Sequence, residues 1–215
     1  MKRVAVFISM MLAPAALFAA DGQVLINQST VMAAGGFPYI ISSPGSYKLS
    51  GNLQMTTTTR GNYAGADIAI AINSSNVDLD LNGFSIIVTN TDVNFAHNLY
   101  VIAEIGTFSQ VSIKNGTISV KSIPIINPGP SVNVKGIHLP TTTQCKLVDL
   151  SIFGRMYLTL GGVFFGFSID IGPFSLVRDN VMRGAVVIAC PSLFVENFGV
   201  GDNDLAGCTG IHNSP

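Results

Sequence analysis

Two carboxylates and one ammonium are the side chains whose spacing could do chemistry. Asp78 and Asp80 lie in Val77-Asp78-Leu79-Asp80-Leu81, where strand alternation puts both on one face. Neighbouring carboxylates can offer oxygens to Ca²⁺. No third or fourth acid lies close in sequence, so no cofactor is expected and Ca²⁺ is the one ion the pair would suit. Lys114 lies in Gln110-Val111-Ser112-Ile113-Lys114-Asn115-Gly116-Thr117-Ile118, a phrase that repeats the first. Aligning the phrases sets Asp80 one coil from Lys114, and a surface ion pair between them is expected, worth about 0–1 kcal/mol. Tyr63, in a Gly- and Asn-rich stretch, is the best exposed aromatic for a sugar platform. His97, His138 and His212 have no metal-ligand spacing, and no Ser-His-Asp grouping or phosphate loop can be argued.

The elements that must carry these residues are short strands joined by Asn-Gly corners. Val77, Leu79 and Leu81 alternate with acids, Asn82-Gly83 turns the chain, and Phe84-Ser85-Ile86 alternates again. Asn and Gly reach left-handed backbone angles at low cost. Asn115-Gly116 repeats the corner, and Asn180 and Asn197 align with Asn115 in weaker copies, which would stack asparagines from coil to coil. The copies recur at about 34, 36, 29 and 17 residues, too irregular for ankyrin, leucine-rich or propeller repeats. Polar insertions at 56–65, 89–98 and 123–131 read as loops between strands. Leu25 to Gly35 reads as a strand end or short helix closing the first coil.

Both Asn-Gly phrases, with the lead-in Gly36-Phe37-Pro38-Tyr39 to Gly51-Asn52-Leu53, resemble the secreted bacterial parallel β-helix repeat proteins of the pectate-lyase-like superfamily. The resemblance implies an all-β, single-stranded right-handed parallel β-helix (a solenoid) with an N-terminal capping segment. Residues 1–20 would be a signal peptide, 21–53 the cap and first strands, and 54–215 coils with loop insertions, truncated at the C-terminus. Lyases of this superfamily set acidic Ca²⁺ ligands and a base on the outer face of one sheet, which Asp78, Asp80 and Lys114 would echo. The superfamily also holds adhesins. Sparse charge and the missing acidic cluster favour an exported, non-catalytic protein presenting a flat surface to a polysaccharide or cell-surface protein; the alternative is a polysaccharide lyase or related carbohydrate-active enzyme.

Composition agrees with a packed, exported domain. Hydrophobic residues make up 48% and charged residues 11%, which excludes disorder. A net charge of −1 gives no electrostatic case for nucleic acid. Met1-Lys2-Arg3, an apolar run to Phe18 and Ala19-Ala20 have the layout of an export signal, after which no stretch is expected to span a membrane. The protein is expected in the periplasm, at the cell surface or outside the cell. There Cys190 and Cys208 could form a disulfide, or all three cysteines could pack as small buried thiols. The chain is expected as a monomer or joined end to end at an open last coil.

Overall fold

The computed structural model describes residues 22–92, 96–122, 133–155, 168–188, 193–195, 198–204 and 209–211. The N-terminal export-like segment, Cys190, Asn197 and Cys208 lie outside these residues. The first elements are β1 (Val24–Ile26), α1 (Gln28–Ala33), β2 (Tyr39–Ile41), β3 (Gly45–Leu49), β4 (Leu53–Thr56) and β5 (Ala66–Ile72). They are followed by β6 (Val77–Asp80), β7 (Ser85–Asn90), β8 (Asn98–Glu104), β9 (Val111–Ser122), β10 (Val134–Leu139) and β11 (Lys146–Arg155). The rest are β12 (Ser168–Ile171), β13 (Leu176–Arg178), β14 (Val181–Ile188), β15 (Leu193–Val195), β16 (Phe198–Asp204) and β17 (Thr209–Ile211).

Every strand pairs in parallel with the strand one coil away, so the chain is a parallel β-solenoid with three faces. The first face stacks β1, β3, β6, the front of β9, the front of β11, β13, β15 and β17. The second stacks β4, β7, the back of β9, the back of β11 and the fronts of β14 and β16. The third stacks β2, β5, β8, β10, β12 and the back of β14.

Alternation explains the core. On the first face Tyr47, Leu79, Ile113, Leu147 and Val177 form one inward column. Leu53, Ile86, Ile118 and Ile152 do the same on the second face, and Ile70, Ile102, Ile137 and Ile169 on the third. Each such aliphatic contributes about 1.5–3 kcal/mol on burial. The columns run on from coil to coil as one core.

At the N-terminal end α1 takes the second-face position beneath β4. Asn27 caps it, its side chain accepting from the Thr30 N–H at 3.0 Å while the Thr30 hydroxyl accepts from the Asn27 N–H at 2.8 Å. Gln28 then completes β4's open edge. Its Nε2 donates to the Gln54 carbonyl at 3.1 Å and its Oε1 accepts from the Gln54 N–H at 2.9 Å. A side-chain amide thus stands in for a missing strand and covers an edge that would otherwise be unpaired.

Two corners of the coil are fixed by columns of positive-φ residues. Asn76 (58°), Gln110 (59°), Gln144 (58°) and Phe174 (59°) turn the chain onto the first face. Asn82 (52°), Asn115 (67°), Asp149 (53°) and Asp179 (56°) turn it off again. Gly83 follows with φ 77°, whereas Gly116 has no positive φ. Gly116 is there for close approach: a Cβ on it would lie 2.4 Å from Leu81 Cβ and 2.7 Å from the Phe84 carbonyl oxygen.

The expected alignment of Asn180 with Asn115 does not hold. Register puts Asp179 at that corner and Asn180 one residue on, opposite Leu150. The reason is burial. Asn180 is 1% exposed, and its amide is taken up by main chain: Oδ1 accepts from Leu150 N–H at 3.0 Å, and Nδ2 donates to the Leu147 and Arg178 carbonyls at 3.1 and 2.8 Å. Asn82 makes a related bond from its corner, donating to the Leu49 carbonyl at 3.1 Å.

Candidate functional site

The three charged candidates come together on the outer side of the first face, in a different pairing from the one expected. Lys114 is in register with Asp80, as alignment of the phrases implied. Its ammonium nevertheless pairs diagonally with Asp78, at 2.8 and 3.1 Å from the two carboxylate oxygens. Asp80 is diverted because its Oδ1 accepts from the Asn82 N–H at 2.7 Å, closing the corner that follows. Lys114 and Asp78 side chains are 36% and 38% exposed, so water screens the pair. Both oxygens of Asp78 and one of Asp80 already accept hydrogen bonds. Among the described residues no three His, Cys, Asp or Glu side chains converge as a metal set.

Tyr63 lies elsewhere, at the lip of the third face. It bridges Ala66 in a tight antiparallel turn whose tip residues, Ala64 and Gly65, have φ 46° and 78°. The same loop is tied to β5 from both sides. Asn62 bonds both main-chain groups of Ile68 at 2.9 Å, and the buried Asp67 carboxylate accepts from the Thr58 N–H and hydroxyl at 3.0 and 3.1 Å. His97, from the next insertion, sits with Nε2 2.8 Å from Asp67.

Beside these loops, the outer side of the third face gathers four residues that spacing did not bring together. Tyr100 and His138 stack with ring centroids 4.3 Å apart. Asp170 Oδ2 lies 2.6 Å from Lys135 Nζ and 3.1 Å from His138 Nδ1. Burial works to raise the Asp170 carboxyl, but the hydrogen bonds from His138 and Lys135 and their charges outweigh it and hold the group below its ordinary value. Burial, then the Asp170 charge, pushes the Tyr100 phenol up against a hydrogen bond to Asn98 that lowers it. Nδ1 also lies 3.3 Å from Lys135 Nζ, and in the tautomer that donates from Nδ1 to Asp170 the second ring nitrogen, Nε2, is an acceptor.

A kink shared by three strands builds this cluster. In β5, Ala69 and Ile70 both point into the main core, while Ile68 and Ala71 join a small apolar cluster with Tyr100 and Ala103 outside it. β8 repeats the pattern, with Val101 and Ile102 inward. β10 stays in step with β8, so Gly136 and Ile137 fill the double inward position, and Lys135 and His138 share the outer face although three residues apart. β12 lacks the extra residue, the register shifts between Lys135 and Ile137, and Asp170 falls opposite His138.

Cys145 is a buried thiol, pushed up to about 12 by desolvation, with a lowering hydrogen bond to Ser175 and a raising contribution from Glu104. It packs under the turn at 140–143, which Glu104 holds by accepting from Thr141 N–H at 2.7 Å and from the Thr142 hydroxyl. Such a thiol is structural. No helix among the described residues is long and apolar enough to cross a membrane.

No family model, curated protein or solved structure matches the chain.

Proposed function

We propose that the protein is an exported, non-catalytic parallel β-helix protein of the pectate-lyase-like superfamily, of bacterial type, that presents an outer sheet face to glycans or to cell-surface proteins. The observation that carries this reading is the part-buried cluster of Tyr100, Lys135, His138 and Asp170 on the third face, beside loops tied down by Asp67 and Asn62. A rigid solenoid with side chains of mixed polarity near its variable loops suits recognition. The signal-like layout of residues 1–20 supports export. The pairing of Asp78 with Lys114 argues against a Ca²⁺-dependent lyase site on the first face. A glycan array probed with the protein tests the reading: saturable binding to a defined set of saccharides is expected, and a blank array together with no cell-surface retention would refute it.

A carbohydrate-active enzyme is the second reading. The Asp170–His138 pair favours it, because an imidazole oriented through Nδ1 leaves Nε2 to take a proton. Turnover of polygalacturonate or alginate, followed by ultraviolet absorbance of unsaturated product, would establish that reading in place of the first.

A further inference from the structure

We infer that the part-buried cluster of Tyr100, Lys135, His138 and Asp170 binds an uncharged saccharide through a pair of neighbouring hydroxyl groups. This rests on the glycan-binding reading above and gives it a site and a ligand class. The charges of the cluster close on themselves. Lys135 Nζ and His138 Nδ1 both approach the single oxygen Oδ2 of Asp170, at 2.6 and 3.1 Å, and lie 3.3 Å from each other. What remains is uncharged hydrogen-bonding capacity: Asp170 Oδ1 and His138 Nε2, which have no partner among the described residues, and the other N–H groups of Lys135.

An acidic sugar would have to draw Lys135 away from Asp170. The side chains of Lys135, His138 and Asp170 are only 19%, 22% and 15% exposed, so the carboxylate left behind would be poorly hydrated and uncompensated. A hydroxyl both donates and accepts. Two adjacent hydroxyls can donate to Oδ1 and Nε2 and accept from Lys135 without displacing any charge. Tyr100 spends one ring face on His138, and its neighbour in register is Ile68 of the outer apolar cluster.

Calorimetric titration of the full chain with maltotriose, cellotriose, xylotriose and trigalacturonate tests this. At least one neutral trisaccharide is expected to bind. His138→Ala should weaken it by about tenfold, the loss of roughly one hydrogen bond to a partly buried partner. Asp170→Asn should weaken it similarly and raise trigalacturonate binding, because Lys135 is then unneutralised. Lys121→Gln, exposed on the second face, should change nothing. Long-range ¹H–¹⁵N spectra of the wild-type protein give a readout that needs no variant, and the His138 Nε2 signal must move with ligand. Preference of the wild type for trigalacturonate, a static Nε2 signal, or neutral-sugar binding indifferent to both variants would overturn the inference and leave glycan binding standing. Failure of all four trisaccharides to bind would overturn the inference, while the glycan array and cell-surface retention decide the broader reading.

Discussion

Gly83 and Gly116 occupy the same place in two Asn-Gly phrases, yet the structure requires glycine for opposite reasons, and substitution separates them. Gly83 needs its backbone angle: φ is 77° and nothing lies within 4 Å of an added Cβ. Alanine there should cost about 1–2 kcal/mol for the left-handed conformation, and asparagine well under that. Gly116 needs its missing side chain. An added Cβ meets Leu81 Cβ at 2.4 Å, the Phe84 carbonyl oxygen at 2.7 Å and Leu81 Cδ1 at 3.1 Å. The first two belong to the neighbouring coil's rigid frame and cannot rotate away. Any side chain must therefore push β6 and β9 apart at their shared corner, at a cost near the upper end of the overpacking range, about 3 kcal/mol. With no Trp in the chain, far-UV circular dichroism in urea is the suitable probe. Gly116→Asn should lower the midpoint by about 1–2 M, and Gly83→Asn by a small fraction of that. Equal shifts for the two variants, or a larger one at Gly83, would refute the close-approach argument.

Asn180→Ala should cost about 3 kcal/mol, because the Leu150 N–H and the Leu147 carbonyl would be left buried without this partner; protection of the Leu150 amide in hydrogen exchange should fall with it. Cys145 makes stability sensitive to alkali. Its folded pKa is raised from 9.0 to about 12, so its contribution is intact below about 9 and is lost as pH climbs toward 12. Between about pH 8 and about pH 10.5 the wild type should lose about 2 kcal/mol more than Cys145→Ala in parallel urea titrations, and identical pH slopes would count against it.

The solenoid was legible because its first face obeys simple rules. Val77, Leu79, Val111, Ile113 and Leu147 alternate cleanly, and Asn82 and Asn115 mark corners by type. The other corner column was not legible. Gln110, Gln144 and Phe174 have no preference for positive φ; the hydrogen bonds of Gln110 and Gln144 to Thr143 and Pro173 in the next coil help hold the column, and this tertiary pairing overrides local cost. The slip at Asn180 shows how thin the signal is, since one residue separates a corner from a buried tie. Lys114's register was readable but its partner was not, because Asp80 is claimed by a main-chain N–H that no alternation rule reveals. The third-face cluster escaped altogether. The double inward step at Ala69, Val101 and Gly136 breaks the period of two, and Lys135 and His138 therefore fall on opposite faces in any strict alternation.

The location of that cluster follows from which corner is free. Turns onto and off the first face are tied by backbone pairing between successive coils, and their lengths differ by only a few residues from coil to coil. Among the described residues, the corner between the second and third faces has no column of positive-φ residues. The long connections β4–β5, β7–β8, β9–β10 and β11–β12 all occur there. Lengthening a loop at an unpinned corner costs little, since closure entropy rises only with the logarithm of length. Sequence can therefore change fastest at this one edge while the core columns stay in register. The strand leaving the edge is the natural place for side chains that meet a ligand, and Asp67, Tyr100, Lys135, His138 and Asp170 all lie on such strands. The flat first face, with its Lys114–Asp78 pair held between two fixed corners, is on this argument the stabilised side of the molecule, and the third face is the one free to acquire specificity.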